Sequence, residues 1–191
     1  MAINKAKSSS INNAFDKSTQ LSGWMMAAEE ISATSPDWSR EYKPFFAWDP
    51  SRSLLASIRS YQSLAISNNP FKIILIKVSV LRHLFWGVVT GADIPINAQI
   101  AGGLLIPHPN GIVMHSAVKI GPNCLVFQQV TIGSKDGSKP PIIGGHVDIG
   151  AGAKVIGEIN IGNHAKIGAN AVVLINVPEG RSAVGIPAKI V

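Results

Sequence analysis

Residues 118–133 read VKIGPNCLVFQQVTIG and residues 147–168 read VDIGAGAKVIGEINIGNHAKIG. In both, a large aliphatic residue returns every six positions, at Ile120, Val126 and Ile132 and again at Ile149, Val155, Ile161 and Ile167. A small residue follows most of them, glycine at Gly121, Gly133, Gly150, Gly162 and Gly168. A second column stands two positions earlier, at Val118, Cys124, Val130, Val147, Ala153, Ile159 and Ala165. An α-helix repeats at about 3.6 residues and a lone strand at about 2, so neither carries this pattern. A solenoid does: each hexad is a short strand and a corner, about three hexads close one triangular coil, and glycine is expected where a corner needs positive φ.

The same phase extends back through Met114, His108, Gly102 and Ile96 and forward to Val173. It breaks once. Ile132 and Ile143 are eleven residues apart, which extrudes about five residues from the coil. Residues 134–141, SKDGSKPP, have the composition of that loop. Loops thrown out of a regular scaffold are where binding chemistry concentrates. The chain is therefore expected to be mainly β, a parallel β-helix solenoid over residues 93–191 with a C-terminal cap at residues 185–189, GIPAK.

A chain of 191 residues is about one domain with room for a helical appendage. Residues 1–20 are rich in Ser, Asn and Lys without an apolar core; they read as disordered, carry no signal peptide and point to a cytoplasmic protein. Residues 21–92 read as helical: a short helix over 21–31, a helix start at Asp49-Pro50, an amphipathic helix over 51–67, a break at Asn68-Asn69-Pro70 and a more apolar helix to about Trp86. These helices are expected to cap the first coil. Residues 71–89, FKIILIKVSVLRHLFWGVV, are the sole membrane candidate, but Lys72, Lys77 and Arg82 interrupt the run, so a buried or interfacial helix is expected. The net charge of +6 is spread over both halves. Nucleic-acid binding would want cations clustered with aromatics, whereas an anionic small ligand or a peripheral membrane contact stays compatible.

His108 stands out as an imidazole in the phase otherwise held by Ile, Val and Met, a candidate general base or a structural histidine. Asp93, fifteen residues earlier, is close to one coil away and could orient the ring. His146 and His164 should stack on neighbouring coils at a corner, with Asp148 the one nearby acid and no metal site expected. Cys124 lies in the inward column and reads as a packed thiol.

The run from Asp93 to Val191 resembles the serine acetyltransferase branch of the hexapeptide-repeat, left-handed parallel β-helix acyltransferases. The resemblance rests on His108-x-x-Gly111-Ile112-Val113, on Val130-Thr131-Ile132-Gly133, on residues 149–157 (IGAGAKVIG) and on residues 185–191 (GIPAKIV). It implies acetyl transfer from acetyl-CoA to a hydroxyl, assembly as a homotrimer or dimer of trimers with sites between neighbouring β-helices, His108 as general base and Asp93 as its carboxylate partner. It also implies a CoA-binding set of Ala151, Ala153, Lys166, Ala169 and Lys189 and a closing loop at residues 134–141; backbone N–H groups near Gly133 and Ser134 are then expected to hold the oxyanion.

Two departures bear on the acceptor. Pro107 precedes the base where the family has Asp, and Lys139-Pro140 stand where it has the Arg-His pair that reads the serine carboxylate. Asp49 is a loose match to an acid supplied by the family's helical domain. Without a bidentate arginine a carboxylate acceptor loses its best partner, so the expected acceptor is a sugar hydroxyl of a surface polysaccharide. L-serine, with Lys139 as a point charge, is the alternative, and a non-catalytic trimeric scaffold is the second alternative.

Overall fold

A computed structural model describes residues 31–191. Ser32–Val191 form one compact unit. The disorder expected for residues 1–20 and, apart from Ile31, the helix expected over 21–31 lie outside the described residues.

Every strand is two or three residues long, because a corner interrupts the extended backbone in every hexad. Three parallel faces result. Face 1 holds β1 (Gln99–Ile100), β3 (Lys119–Ile120), β6 (Ile142–Ile143) and β9 (Asn160–Ile161). Face 2 holds β4 (Leu125–Val126), β7 (Asp148–Ile149), β10 (Lys166–Ile167), β12 (Ser182–Val184) and β13 (Lys189–Ile190). Face 3 holds β2 (Val113–Met114), β5 (Thr131–Gly133), β8 (Lys154–Ile156) and β11 (Val172–Val173). The chain visits faces 1, 2 and 3 in turn, and among the described residues only β13 runs antiparallel, against β12. The result is the parallel β-helix that the six-residue period predicts.

The register corrects the phase over the first coil. Val113 pairs with Thr131 and Ile142 with Asn160, eighteen apart, but Asp93 pairs with Val113 and Ile100 with Ile120, twenty apart. Two extra residues therefore sit in the first coil, in the turn at residues 107–111, where Ile112 N–H donates to Pro109 O and Gly111 has φ 70°. The inward column before this turn is Ile94, Ile100 and Ile106, all buried. Ile96, Gly102 and His108 are not part of it, and His108 is exposed on the corner between faces 2 and 3. A second excess, at the loop of residues 134–141, makes Lys119 pair with Ile142, twenty-three residues on.

The glycine that follows each aliphatic residue is there for closeness rather than for positive φ. A Cβ on Gly121 would lie 2.5 Å from the carbonyl carbon of Gly144 on the next coil. Left-handed corners are held largely by other residues, among them Asn123 at φ 61°. Its side chain ties down the segment ahead of the helices, donating to Ser32 O (2.7 Å) and Ser35 O (2.8 Å) and accepting from Asp37 N (2.8 Å).

A 3-10 turn, Trp38–Glu41, leads to α1 (Pro50–Ala65) and α2 (Lys72–Thr90). Leu54, Leu55 and Ile58 of α1 join the solenoid core over its open first coil, as the helical cap requires. The coil's edge carbonyls are met by side chains: Arg59 donates to Ile100 O and Ala101 O, Gln62 to Ala98 O, and Arg40 to Gly103 O. Cys124 is fully buried, and burial pushes its thiol up to about 11, far from a reactive thiolate.

Residues on α1 and α2 that meet are small or polar: Ser53, Ser57, Ser79 and Thr90 are buried, and Ser57 Oγ lies 3.1 Å from His83 Nδ1. Burial lowers the pKa of His83, with Asp93 and a hydrogen bond with the Ile94 backbone opposing. A histidine whose folded pKa is depressed binds its proton more readily unfolded, so its stabilising effect is complete above the ordinary value of about 6.5 and is lost as pH falls through the folded pKa. His146, also lowered by burial, acts in the same sense. Thermal melts are expected to show Tm falling as pH drops from neutral toward 5, and His83→Gln to flatten part of that slope; an unchanged slope would remove His83 from the effect.

Candidate active site

A cleft of about 800 Å³ opens where α1 meets the corner between faces 2 and 3. Trp48, Asp49, Arg52, Thr90, His108 and Asn110 are among its lining residues. The sequence Asp49-Pro50-Ser51-Arg52 explains one wall. Proline sits in the first turn of α1, and Asp49 caps the helix, accepting from Arg52 N (3.0 Å) and Ser51 Oγ (2.8 Å). Arg52 Nη1 reaches the other Asp49 oxygen at 3.0 Å, and Arg52 Nε donates to Arg40 O. Burial alone would raise the Asp49 pKa; these hydrogen bonds and the Arg52 charge outweigh it and hold the carboxyl below its ordinary value. The cleft thus presents an imidazole, a carboxylate and a guanidinium. The opposite wall is the two-residue excess of the first coil, which pushes His108 out of the core and over this space.

The site residues expected from the sequence are divided by the fold. His108 lines the cleft. Asp93 pairs in register with Val113 on face 3, and its charge acts on His83; no hydrogen bond joins its carboxylate to the His108 ring among the described residues. Ala151 and Ala169 stack on the same corner as His108, two and three coils further on, with Asn170 N–H donating to Ala151 O. Lys166 and Lys189 are exposed on face 2. Gly133 and Ser134 lie at the far end of the face 3 strands, where the loop departs.

Ala153 is a correction. It is fully buried in the inward column, two residues before Val155, and its carbonyl accepts from Thr131 N. Neither its methyl group nor its carbonyl is available to a cofactor. Lys139 also finds a partner: its Nζ lies 3.1 Å from Glu158 Oε1 at the edge of face 1. The pair is largely exposed and worth little for stability, but it engages the lysine expected to stand in for the family arginine. His146 and His164 do stack on one corner, Nδ1 to Nδ1 at 2.9 Å. No third histidine, cysteine or acid gathers with them among the described residues.

Two contributors were not identified from the sequence. Nothing in the local sequence marks Arg52, since its place beside His108 depends on how α1 docks. Gln128 sits on the same corner as His108, one coil further on, and its Oε1 is buried without a hydrogen-bond partner among the described residues. Buried polar atoms are nearly always paired, so this oxygen is a candidate acceptor for a ligand N–H. No sequence pattern separates it from its neighbour Gln129.

No family model matches the chain. It is similar to the serine acetyltransferase of Staphylococcus aureus strain Mu50, 36% identical over 165 residues that cover 79% of this chain and 76% of that one. The serine acetyltransferase of Synechococcus elongatus is 38% identical over 115 residues, 59% of this chain and 47% of the relative. Among solved structures, a serine acetyltransferase in complex with CoA superimposes with a TM-score of 0.64 at 33% identity, covering 75% of this chain and 58% of that one. The Neisseria gonorrhoeae serine acetyltransferase in complex with serine gives 0.63 at 31% identity, covering 74% and 57%. The chain spans 47% to 61% of the length of several of the curated relatives it matches. These relatives give no support to the expected closeness to polysaccharide O-acetyltransferases. The repeat register, the placement of His108 and the match across three quarters of the Staphylococcus aureus protein together show that the chain belongs to the serine acetyltransferase family.

Proposed function

We propose that the protein is an acetyl-CoA-dependent O-acetyltransferase whose acceptor is the hydroxyl of L-serine. The observation that carries this reading is the cleft that sets His108 beside the Asp49 and Arg52 pair. An amino-acid acceptor presents an ammonium, a carboxylate and a hydroxyl. Asp49, held ionised, suits the ammonium, and Arg52, with two of its donors committed and the others left, suits the carboxylate. This removes the reason for preferring a sugar, because a guanidinium is present after all, supplied by α1 instead of the extruded loop. His108 takes the hydroxyl proton as the oxygen attacks the thioester carbonyl. The carbon–sulfur bond breaks, and the CoA thiolate takes the proton from the imidazolium. No covalent enzyme intermediate is involved.

The CoA-side residues fit a chain working beside copies of itself. Ala151 and Ala169 share the His108 corner, while Gly133 and Ser134 occupy the other end of face 3. A neighbouring β-helix in a trimer brings the two ends together, and Lys166 and Lys189 supply cations for the CoA phosphates.

Release of free CoA from acetyl-CoA and L-serine tests the reading. Asp49→Asn is expected to raise KM for serine by about ten- to a hundredfold, the cost of losing a charge-assisted hydrogen bond, with KM for acetyl-CoA little changed. Turnover on sugars without turnover on serine would restore the sugar acceptor. Absence of any thermal shift at saturating CoA would favour the scaffold, since a ligand of the folded state must raise its stability.

A further inference from the structure

The helix α2 is built inside out. Its inward side carries Ser79, His83, Gly87 and Thr90, and only Ser79 and Thr90 of the whole helix are buried. Its outward side carries Ile73, Ile74, Val78, Leu81, Leu84 and Val88, all exposed, Val88 at 85%. An amphipathic helix on a globular surface has the opposite arrangement. An exposed apolar strip as long as a 19-residue helix marks an interaction surface.

The neighbouring segment lengthens it. Phe45 and Phe46 stand in solvent, 88% and 95% exposed, and stack edge to face on each other at 5.0 Å. Trp48 packs on Trp86 at 5.6 Å between ring centroids, and Trp86 on Phe85 at 5.0 Å. Aromatic residues thus gather at the C-terminal end of the apolar strip. Rings of this kind concentrate at the headgroup level of bilayers.

Charge decides the occupant. Residues 50–92 contain Arg52, Arg59, Lys72, Lys77 and Arg82 and no aspartate or glutamate. Arg52 and Arg59 are paired with Asp49 and Glu41, whereas Lys77, within the apolar strip one turn from Ile73, Ile74 and Leu81, and Arg82, at its edge, are exposed without a carboxylate partner among the described residues. A second copy set on this face would meet the same cations with no acid to balance them. A helix crossing the bilayer would carry Lys77 and Arg82 into the hydrocarbon, which is costly, while the polar inward side is already satisfied, His83 by Ser57 of α1 and Ser79 and Thr90 by carbonyls of α2 itself. A helix lying flat avoids both, with the apolar strip in the acyl boundary, Lys77 extending its stem back to the anionic headgroups and Arg82 among them at the edge.

We propose that α2 and the aromatic segment at residues 45–48 form a docking surface for an anionic lipid bilayer, on which the protein lies without spanning it. Trp48 and Val89 belong both to this surface and to the cleft, so the acceptor site opens close to the bilayer plane. The inference does not depend on which acceptor the enzyme uses.

Flotation of the full chain with vesicles provides the test. Vesicles of phosphatidylcholine with phosphatidylglycerol are expected to carry the protein, those of phosphatidylcholine alone far less, and added salt to reduce the difference. The double variant Lys77→Glu with Arg82→Glu, both exposed, should lower partitioning by about tenfold or more. Its melting temperature and its CoA release are expected to stay unchanged, which separates lipid docking from the catalytic proposal. Phe46→Ser should weaken partitioning independently of charge. Equal binding to both vesicle types, no binding to either, or charge-reversed protein that floats as well as the parent would each overturn the proposal. So would an oligomer, seen by light scattering, that the double variant dissociates while vesicles leave it unbound.

Discussion

Alanine at position 108 is expected to lower the rate of CoA release from acetyl-CoA and L-serine by about a hundredfold to ten-thousandfold, the usual share of a positioned general base. The fold should not respond. His108 is exposed on a corner, outside the packed column, and its ring makes no hydrogen bond among the described residues. Steady-state kinetics and a thermal melt on the same preparation check both halves. A thermal shift with CoA should persist, since the imidazole acts on the acceptor hydroxyl rather than holding the donor. His108→Asn, which keeps hydrogen-bonding capacity without a basic ring nitrogen, should be nearly as inactive. Activity within about tenfold of the parent would place the base elsewhere.

Glu41→Ala is expected to be the most damaging single change to stability, about 3–5 kcal/mol, the cost of leaving one member of a buried pair uncompensated. Glu41 and Arg59 side chains are 8% and 16% exposed and meet fork to fork, Oε1 to Nη2 at 2.7 Å and Oε2 to Nε at 2.9 Å. Glu41 Oε1 also accepts from Leu104 N, while Arg59 reaches the carbonyls of the first coil. One side-chain pair thus joins the 3-10 turn, α1 and the solenoid's open end. Against a typical total of about 5–15 kcal/mol, its loss is a large fraction, and urea melts should show the midpoint drop. Replacing both partners with apolar residues should recover part of it, because no charge is then stranded. A change below about 1 kcal/mol, as at an exposed pair, would show the site to be hydrated in solution.

Reading of the repeat was most secure where the chain is most regular. From Val118 to Val173 each aliphatic position expected to point inward does so, and the loop at residues 134–141 falls where the phase breaks. In the first coil, two extra residues leave another aliphatic residue, Ile106, close enough to His108 that both phases fit the letters. Only the pairing of Ile100 with Ile120 decides between them. Ala153 entered the cofactor set through the family resemblance alone; its phase, two residues before Val155, already places it in the inward column, where it is fully buried. The proposed acceptor turns on the tertiary structure for a related reason: Lys139-Pro140 occupy the loop position where a guanidinium is expected, and the fold brings one to the cleft from a helix far away in the chain.

Period, strand and corner were legible because they are set by neighbours six residues apart, so local sequence carries them in full. The solenoid, its loop and the two helices were therefore determined by the chain alone. The cleft was not. It forms where the N-terminus of α1 docks against a corner that an irregular coil pushes outward, and docking depends on contacts such as Arg59 with Ile100 and Glu41 with Leu104 that no local pattern encodes. The inverted polarity of α2 also needed the tertiary structure. Sequence shows that the helix is apolar, but only packing against α1 reveals that its small and polar side is the one turned inward, leaving its hydrophobic side to meet something else.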